Sequence, residues 1–236
     1  MGTTGLKQIE KYTLWDRAYA ELRGALLAGR FVPGQRILLR EVAGELGISL
    51  TPVRDAVNHL IAERVLERGT GGQGGGAIAP HIDPDQFRQL TIMRADLESR
   101  AAYEAAAHVT SEDIALLRQH LTQMTDHINE ERRDHYLEMH RRFHFGIYAL
   151  ARMPIIQDAI ETLWLRCGPV LTIVLPEYVP YLKKTDYHAA ALKALEQQDA
   201  QGVADAIRRD ISEAGTYIHQ LLCRRDENQN EGTQAA

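Results

Sequence analysis

The sequence of 236 residues contains only two cysteines and no long apolar run. Cys167 and Cys223 are too few for a disulfide framework and lack the paired spacing of a thiolate zinc site. No stretch approaches the roughly 18 consecutive apolar residues of a membrane helix, and the first residues lack the apolar segment of a secretory signal. These absences argue against a membrane protein or a disulfide-rich secreted domain, and we expect a cytoplasmic globular protein.

The chain also has little excess of charge of either sign, since its formal net charge is −5. The charge is unevenly distributed, because residues 1–80 carry 10 Lys and Arg against 8 Asp and Glu, whereas the remainder carries 17 against 24. A mildly basic N-terminal region permits nucleic-acid binding there, although the whole-chain charge argues against it. The length fits two domains of the usual size, about 100 to 200 residues each.

Apolar spacing in the first eighty residues predicts three helices followed by a hairpin. The helices are expected over residues 14–29, 39–46 and 49–60, each with apolar side chains three or four residues apart. The residues that end helices or form turns between them are Gly29, Pro33, Gly34 and Gly47. The candidate strand residues of the hairpin, which has a glycine-rich tip, are Val65, Leu66, Ala77 and Ile78. This order of elements is typical of a winged helix-turn-helix, whose third helix enters the major groove of DNA.

A short motif makes this interpretation specific. After a Pro-Gly turn, the third helix begins with the pattern Ser-x-x-Pro-Val-Arg-Asp-Ala, which consists of Ser49, Pro52, Val53, Arg54, Asp55 and Ala56. With these residues the region resembles the winged helix-turn-helix of GntR-type transcription regulators. The residues that the resemblance assigns to DNA contact are Arg40, Ser49, Leu50, Thr51 and Arg54.

The chemistry of these side chains agrees with contact to DNA. A guanidinium in the major groove can donate two hydrogen bonds to guanine, and hydroxyls near a helix N-terminus can bind phosphate oxygens. Leu50 departs from the pattern, because many relatives carry Arg or another polar residue there, and we expect a different operator sequence. The alternative is that Arg40 and Arg54 are solvated surface charges.

From residue 84 to about 225 the apolar pattern predicts only helices. The expected spans are 84–107, 111–129, 133–151, 154–175, 180–197 and 199–224. Ser111 and Asp199 are expected to cap two of these helices, and the polar tail 226–236 is expected to be disordered. We therefore predict a mainly α protein, with a winged helix-turn-helix and small β-hairpin in residues 1–80 and an all-α helical bundle in residues 81–225.

Polar side chains fall on the apolar faces of several of these helices. Residues three, four or seven apart share a helix face, so His140 and His144 point inward together. Each of His188, Asp210 and Arg94 also lies among apolar neighbours on its own helix. Three imidazoles with one carboxylate suit zinc, nickel, iron or manganese rather than calcium. The alternative is that these are core residues joined to one another by hydrogen bonds.

Three further features point to a ligand-sensing family. These are Arg94 with Glu98, Phe143 followed by His144, and His188 eleven residues before Asp199. With them, residues 88–224 resemble the FCD domain of the FadR subgroup of GntR regulators. In metal-binding members of that family the ligands are one Asp and three His.

Two positions depart from the ligand pattern that this resemblance implies. His140 stands where the family has the Asp, and Asp210 stands where it has the last His. The two exchanges together preserve three His and one Asp. We predict a divalent transition metal, zinc in first place, with the ligands His140, His144, His188 and Asp210. The competing interpretation is a lost site, in which Asp210 pairs with Arg94 or His144 in a metal-free polar network.

The resemblance implies a homodimeric regulator that binds a pseudo-palindromic operator in double-stranded DNA and responds to an effector. A small organic acid is expected at the metal, and the residues expected to contact it are Arg94, Glu98, Tyr148 and Tyr217. Two alternatives belong to other classes. One is a metal-dependent hydrolase, whose metal-bound water attacks a substrate. The other is a constitutive DNA-binding dimer without an effector.

Overall fold

A computed structural model describes residues 13–69, 76–129, 132–182 and 186–234. The elements in these residues are α1 (Leu14–Leu27), β1 (Arg36–Ile37), α2 (Leu39–Leu46), α3 (Leu50–Ala62), β2 (Glu67–Arg68), β3 (Ala77–Ile78), α4 (Pro84–Ala105), α5 (Ser111–Asn129), α6 (Arg133–Leu150), α7 (Pro154–Leu182), α8 (Tyr187–Glu196) and α9 (Ala200–Gln234). The predicted mainly α fold, with a winged helix-turn-helix before an all-helical part, is confirmed. The tip of the predicted hairpin lies outside the described residues.

A capping residue precedes α1, and a glycine follows each of α1 and α2. The hydroxyl of Thr13 accepts a hydrogen bond from the N–H of Asp16 at 3.2 Å, and the Asp16 carboxylate accepts one from the N–H of Thr13 at 2.6 Å. Gly29 after α1 and Gly47 after α2 both have φ of 64°, a left-handed conformation that glycine adopts without strain. The buried face of α3, which packs against α1, consists of Val53, Ala56, Val57 and Leu60.

The predicted strand of Ala77 and Ile78 is confirmed as β3, whereas the other predicted strand is displaced and a third strand, β1, is present. The sheet is antiparallel, with the strand order β1-β3-β2. Val65 and Leu66, predicted in the first strand of a hairpin, precede β2 instead, because their N–H groups both bond to the carbonyl of Leu60, at 2.9 and 3.2 Å. Both side chains are buried in the core below the helix. No prediction covers β1, because two residues are too few to show the alternation of a strand.

In the helical part, α4, α5 and α6 agree closely with their predicted spans, whereas later boundaries differ. Helix α7 continues through Pro176 and Pro180 to Leu182, although the prediction ends it at residue 175. A proline has a helical φ, so it removes one hydrogen bond from a helix without always ending it. Helix α9 continues to Gln234, into the tail 226–236 that is predicted to be disordered.

One predicted helix cap is confirmed and one is shifted by a residue. The carboxylate of Asp199 accepts a hydrogen bond from the N–H of Gly202 at 3.0 Å, so Asp199 caps α9 as predicted. Ser111 is the first residue of α5 rather than its cap. Thr110 caps α5 instead, because its hydroxyl accepts a hydrogen bond from the N–H of Asp113 at 3.2 Å.

The helical part packs α4 along α9, and α4 also contacts α6 and α7. The winged helix contacts this part through α1, which packs against α7. At that contact, a Cβ added to Gly168 would lie 2.2 Å from the carbonyl oxygen of Leu26, so only glycine fits. A guanidinium nitrogen of Arg23 lies 2.8 Å from a carboxylate oxygen of Glu161 beside it. No helix in the described part of the chain has the length and apolar character needed to cross a membrane.

Candidate metal centre and nucleic-acid interface

Four polar side chains meet in the core of the helical part. Helix α6 contributes His140 and His144, one turn apart, α8 contributes His188 and α9 contributes Asp210. The candidate ligand atoms of the four residues all lie within 4.8 Å of one another. We call these residues the His/Asp cluster. It is the set of three His and one Asp that the sequence predicts.

The side chains of the His/Asp cluster lie close together, and two of them are within hydrogen-bonding distance. The Nε2 atoms of His144 and His188 lie 3.1 Å apart. Oδ2 of Asp210 lies 3.4 Å from Nε2 of His144 and 3.7 Å from Nε2 of His188. The ring centroids of His140 and His144 are 4.4 Å apart. Nδ1 of His140 is buried and has no hydrogen-bond partner among the described residues.

Burial disfavours the protonated, positively charged form of the histidines in the His/Asp cluster. Burial lowers the pKa of His140 and of His144 well below the ordinary value, and positive charge on His188 and Arg94 would lower both further. Both imidazoles are therefore neutral and have a lone pair to offer. Burial raises the pKa of Asp210, although His188 and Arg94 act in the opposite direction. A buried carboxylate next to the neutral rings of His140 and His144 is an arrangement that a cation would stabilise.

Glu98 forms a second buried group beside the His/Asp cluster. Its Oε1 accepts hydrogen bonds from Nε of Arg94 at 2.7 Å and from Nε1 of Trp164 at 2.9 Å. Its Oε2 accepts a hydrogen bond from the hydroxyl of Tyr148 at 2.5 Å, and that hydroxyl lies 2.8 Å from Nδ1 of His144. Burial, followed by the charge of Glu98, raises the pKa of Tyr148 well above the ordinary value. The Tyr148 hydroxyl therefore keeps its proton.

The side chains predicted to contact an effector differ in how exposed they are. Glu98 and Tyr148 are 0% and 1% exposed and bond to each other. The Arg94 guanidinium lies over the ring of Trp164, 4.6 Å from the centroid, and its side chain is 11% exposed. Tyr217 is two turns beyond Asp210 on α9 and packs against a separate apolar cluster. Of this set, Arg94 and Tyr217 keep partial access.

The sequence does not predict the hydrogen bonds by which the group around Glu98 holds the His/Asp cluster. Tyr148 lies four residues after His144, so helix spacing already places the two side chains on one face. Trp164 belongs to α7, and no local spacing relates it to Glu98 on α4. Cys167 is buried, and burial raises the pKa of its thiol, while the positive charge of Arg94 acts in the opposite direction. The pairing of α4 with α7 is the information that the sequence pattern lacks.

The residues predicted to contact DNA lie at the starts of α2 and α3. Arg40, Thr51 and Arg54 are exposed, and Thr51 and Arg54 share one face because they are three residues apart. Within the described part of the chain, neither arginine forms an ion pair. Ser49 is the residue before α3, is exposed, and makes no capping hydrogen bond with its side chain. Its hydroxyl therefore remains available to another acceptor or donor.

Two residues of α3 change the predicted DNA-contact set. Leu50 is half-buried and packs against the core of the winged helix, so only part of its side chain faces outward. Asn58 is exposed one turn beyond Arg54 on the same face, and the sequence prediction omits it. Asparagine is a residue type that can bond to adenine, so its position extends the candidate surface.

A winged helix-turn-helix with an outward-facing third helix, joined to an all-helical domain, is the architecture of a class of DNA-binding transcription regulators. Residues 14–74 match the family "Bacterial regulatory proteins, gntR family", and residues 89–213 match the FCD domain. The FCD match covers more than half of the chain. The chain belongs to the GntR family of transcription regulators that contain an FCD domain.

Similar proteins agree with this assignment. The "HTH-type transcriptional regulator McbR" of Escherichia coli K12 is 28% identical over 214 residues, which are 88% of this chain and 96% of the relative. The "Nta operon transcriptional regulator" of Aminobacter aminovorans is 33% identical over 122 residues, which are 52% and 56% of the two chains. These relatives are transcription regulators and not enzymes, so the hydrolase alternative finds no support among them.

Solved structures share the fold. The structure of E. coli McbR/YncC has a TM-score of 0.79 at 24% identity and covers 91% of this chain and 99% of its own. A putative GntR transcriptional regulator from Rhodococcus sp. RHA1 has a TM-score of 0.68 at 19% identity, with 86% and 96% covered. At these identities the likeness supports the architecture of both parts of the chain.

Proposed function

We propose that this regulator senses a small organic acid at a divalent metal ion held by the His/Asp cluster, and that this binding changes its affinity for operator DNA. The observation that carries the proposal is the convergence of four ligand-type atoms within 4.8 Å in a buried core. Burying a carboxylate is unfavourable without a compensating positive charge. A divalent ion would satisfy all four groups at once.

The chemistry of the four residues fits a transition metal. Nδ1 of His140 is buried without a hydrogen-bond partner among the described residues, as expected for a ligand atom. Three imidazoles and one carboxylate favour zinc, with nickel, iron or manganese as alternatives. When bound, the ion would supply positive charge and an open coordination position where a carboxylate can dock.

The surroundings of the His/Asp cluster favour an anionic effector. The guanidinium of Arg94 adds positive charge beside it, although Nε of Arg94 is already bonded to Glu98. Glu98 and Tyr148 are buried and bonded to each other, so we assign them to the support of the cluster. Tyr217 would contact only an effector that extends about 10 Å along α9 from Asp210.

For DNA, we propose that Arg54 contacts base edges and that Arg40, Ser49 and Thr51 contact phosphates, with Leu50 packing at the start of α3. The support is their exposure around the N-terminal end of α3, the end that enters the groove in this motif. Two copies in a homodimer would place two such helices on a pseudo-palindromic operator.

A continuous set of contacts links the two parts of the chain. Trp164 of α7 donates a hydrogen bond to Glu98 beside the His/Asp cluster. One turn earlier, Glu161 pairs with Arg23 of α1 at 2.8 Å, and Arg23 donates a hydrogen bond to the hydroxyl of Tyr19 at 2.6 Å. We propose that a shift of α7 on effector binding moves α1, provided that the effector prefers one arrangement.

Metal content of the purified protein tests the metal site directly. We expect one transition-metal ion per chain in the wild type, and loss of that ion in His140→Ala and Asp210→Ala. His219→Ala is the matched control, because nine residues separate His219 from Asp210 and place it on the opposite face of α9. Full metal retention in Asp210→Ala would remove Asp210 from the site.

Calorimetry then tests the sensing step. Small mono- and dicarboxylic acids and hydroxy acids are titrated into the metal-loaded wild type and into metal-free protein. We expect one acid to bind only the metal-loaded form and to change its affinity for operator DNA in a fluorescence anisotropy assay. If no acid binds, the constitutive DNA-binding dimer becomes the better description.

A further inference from the structure

The carboxylate of Glu98 determines which way the hydroxyl of Tyr148 points. Glu98 is fully buried and forms an ion pair with Arg94 at 2.7 Å, so both of its oxygens act as acceptors. Its Oε2 lies 2.5 Å from the Tyr148 oxygen, and the hydroxyl hydrogen must therefore point toward Glu98. The Tyr148 oxygen is left with lone pairs on its other side.

The direction of the hydrogen bond from Tyr148 to Glu98 determines which nitrogen of His144 carries the ring proton. Nδ1 of His144 lies 2.8 Å from the Tyr148 oxygen, whose hydrogen is already donated to Glu98. Nδ1 must therefore carry the ring proton and donate it, which leaves the lone pair on Nε2. Nε2 is the atom that faces the cluster, 3.1 Å from Nε2 of His188 and 3.4 Å from Oδ2 of Asp210.

We propose that Tyr148, oriented by Glu98, is a positioning residue for the metal: it fixes His144 as the Nδ1–H tautomer and directs the Nε2 lone pair into the His/Asp cluster. This inference rests on the proposed metal site. A hydrogen bond from the second nitrogen of a ligating histidine is a common source of ligand orientation, and its loss typically lowers metal affinity 10- to 100-fold. In this protein the hydroxyl of Tyr148 accepts the hydrogen bond from His144 and donates one to the carboxylate of Glu98.

The same geometry assigns different behaviour to the two facing histidines. In the metal-free protein one proton must lie between the two Nε2 atoms, which are 3.1 Å apart, and His188 must supply it because His144 holds its own on Nδ1. Nε2 of His188 must lose that proton before it can bind a metal, whereas Nε2 of His144 already offers its lone pair.

Two variants separate this role from simple packing. Tyr148→Phe keeps the ring and removes the hydroxyl, and Tyr136→Phe is the matched control. Tyr136 is also buried in α6, but its hydroxyl has no hydrogen bond to Glu98 or to His144 in the described structure. We expect zinc affinity, measured by competition with a chromophoric chelator, to fall 10- to 100-fold in Tyr148→Phe and to stay within twofold of the wild type in Tyr136→Phe.

Glu98→Gln tests the direction of the hydrogen bonds while Tyr148 is kept. Arg94 and Trp164 both donate to Oε1, so the amide oxygen of a glutamine should take that place and its NH2 group should face Tyr148. The Tyr148 hydroxyl would then donate to Nδ1 of His144. We expect His144 to change to the Nε2–H tautomer, which cannot offer Nε2 to a metal, and zinc affinity to fall.

Nitrogen NMR of the full-length, metal-free protein with 15N-labelled histidine shows the tautomers directly, and comparison with His144→Asn assigns the signals. We expect Nδ1–H for His144 in the wild type and in Tyr136→Phe, and Nε2–H in Glu98→Gln. Wild-type zinc affinity and an unchanged His144 tautomer in both Tyr148→Phe and Glu98→Gln would overturn the inference. A wild type that binds no metal would instead overturn the proposed function, while the NMR spectrum still shows whether His144 is held as Nδ1–H.

Discussion

Replacing Asp210 with asparagine should stabilise the metal-free protein and remove most of the stabilisation by metal. Burial raises the pKa of Asp210 above its ordinary value of 3.8. The stability that comes from its protonated form is present below that value and is lost as the pH rises through the pKa of the folded state. At pH 7 the ionised carboxylate therefore destabilises the metal-free fold, and an asparagine of nearly the same shape does not.

The effect of metal can be worked out from mass action. Zinc buffered at 100 times its dissociation constant stabilises the wild type by about 2.7 kcal/mol. For a chain of this size each kcal/mol raises Tm by about 2 to 4 °C, which gives a rise of about 5 to 11 °C. If the asparagine variant binds zinc 100-fold more weakly, the same zinc concentration supplies about 0.4 kcal/mol and raises Tm by about 1 to 2 °C.

Scanning calorimetry of the wild type and of Asp210→Asn, with a strong chelator or with buffered zinc, measures all four values. Asp199→Asn is the control, because Asp199 is exposed at the start of the same helix and asparagine also caps helices. We expect the order of stability to invert, with the variant above the wild type in chelator and below it in zinc. An equal rise of Tm with zinc in both proteins would refute the assignment of Asp210 as a ligand.

Two further predictions concern DNA binding and the contact between the two parts of the chain. Arg54→Ala should weaken binding to operator DNA by about 1 to 3 kcal/mol in fluorescence anisotropy without changing Tm. Arg100→Ala removes the same charge from an exposed position on α4 and should leave DNA binding unchanged. Gly168→Ala should lower the free energy of unfolding by about 1 to 3 kcal/mol in urea titrations, because its Cβ would meet the Leu26 carbonyl oxygen at 2.2 Å. Unchanged DNA affinity in the first variant, or unchanged stability in the second, would contradict these assignments.

The winged helix is predictable because its signals are local. Gly29 and Gly47 end helices at the predicted places, since each provides the left-handed conformation that a helix end favours. The strands of the wing are harder to predict from the sequence, because a two-residue strand has no periodicity of its own. Val65 and Leu66 look like strand residues, yet their N–H groups are bonded to the end of α3. Local backbone hydrogen bonds to the end of α3, and not residue type, decide that boundary.

The sequence predicts which residues form the His/Asp cluster. It does not predict the hydrogen bonds around Glu98 that hold the cluster in place. Helix spacing shows which polar residues face inward, and a single core brings the inward faces of α6, α8 and α9 together. The network around Glu98 depends on the approach of α4 to α6 and α7, which place Tyr148 and Trp164 against its two carboxylate oxygens. Distances of this kind arise from packing between helices, and no spacing along one helix encodes them.

In the proposed metal site, the positions of His140 and Asp210 account together for the two departures from the ligand pattern that the family resemblance implies. A His at 140 without the change at 210 would leave four imidazoles and no carboxylate to offset the charge of a divalent ion. An Asp at 210 without the change at 140 would leave two carboxylates and two imidazoles. The two positions lie on different helices, yet their ligand atoms lie within 4.8 Å of each other. Because metal affinity depends on the donor atoms and not on the helix that supplies each one, exchanging both residues would preserve the ligand set and the charge of the proposed site.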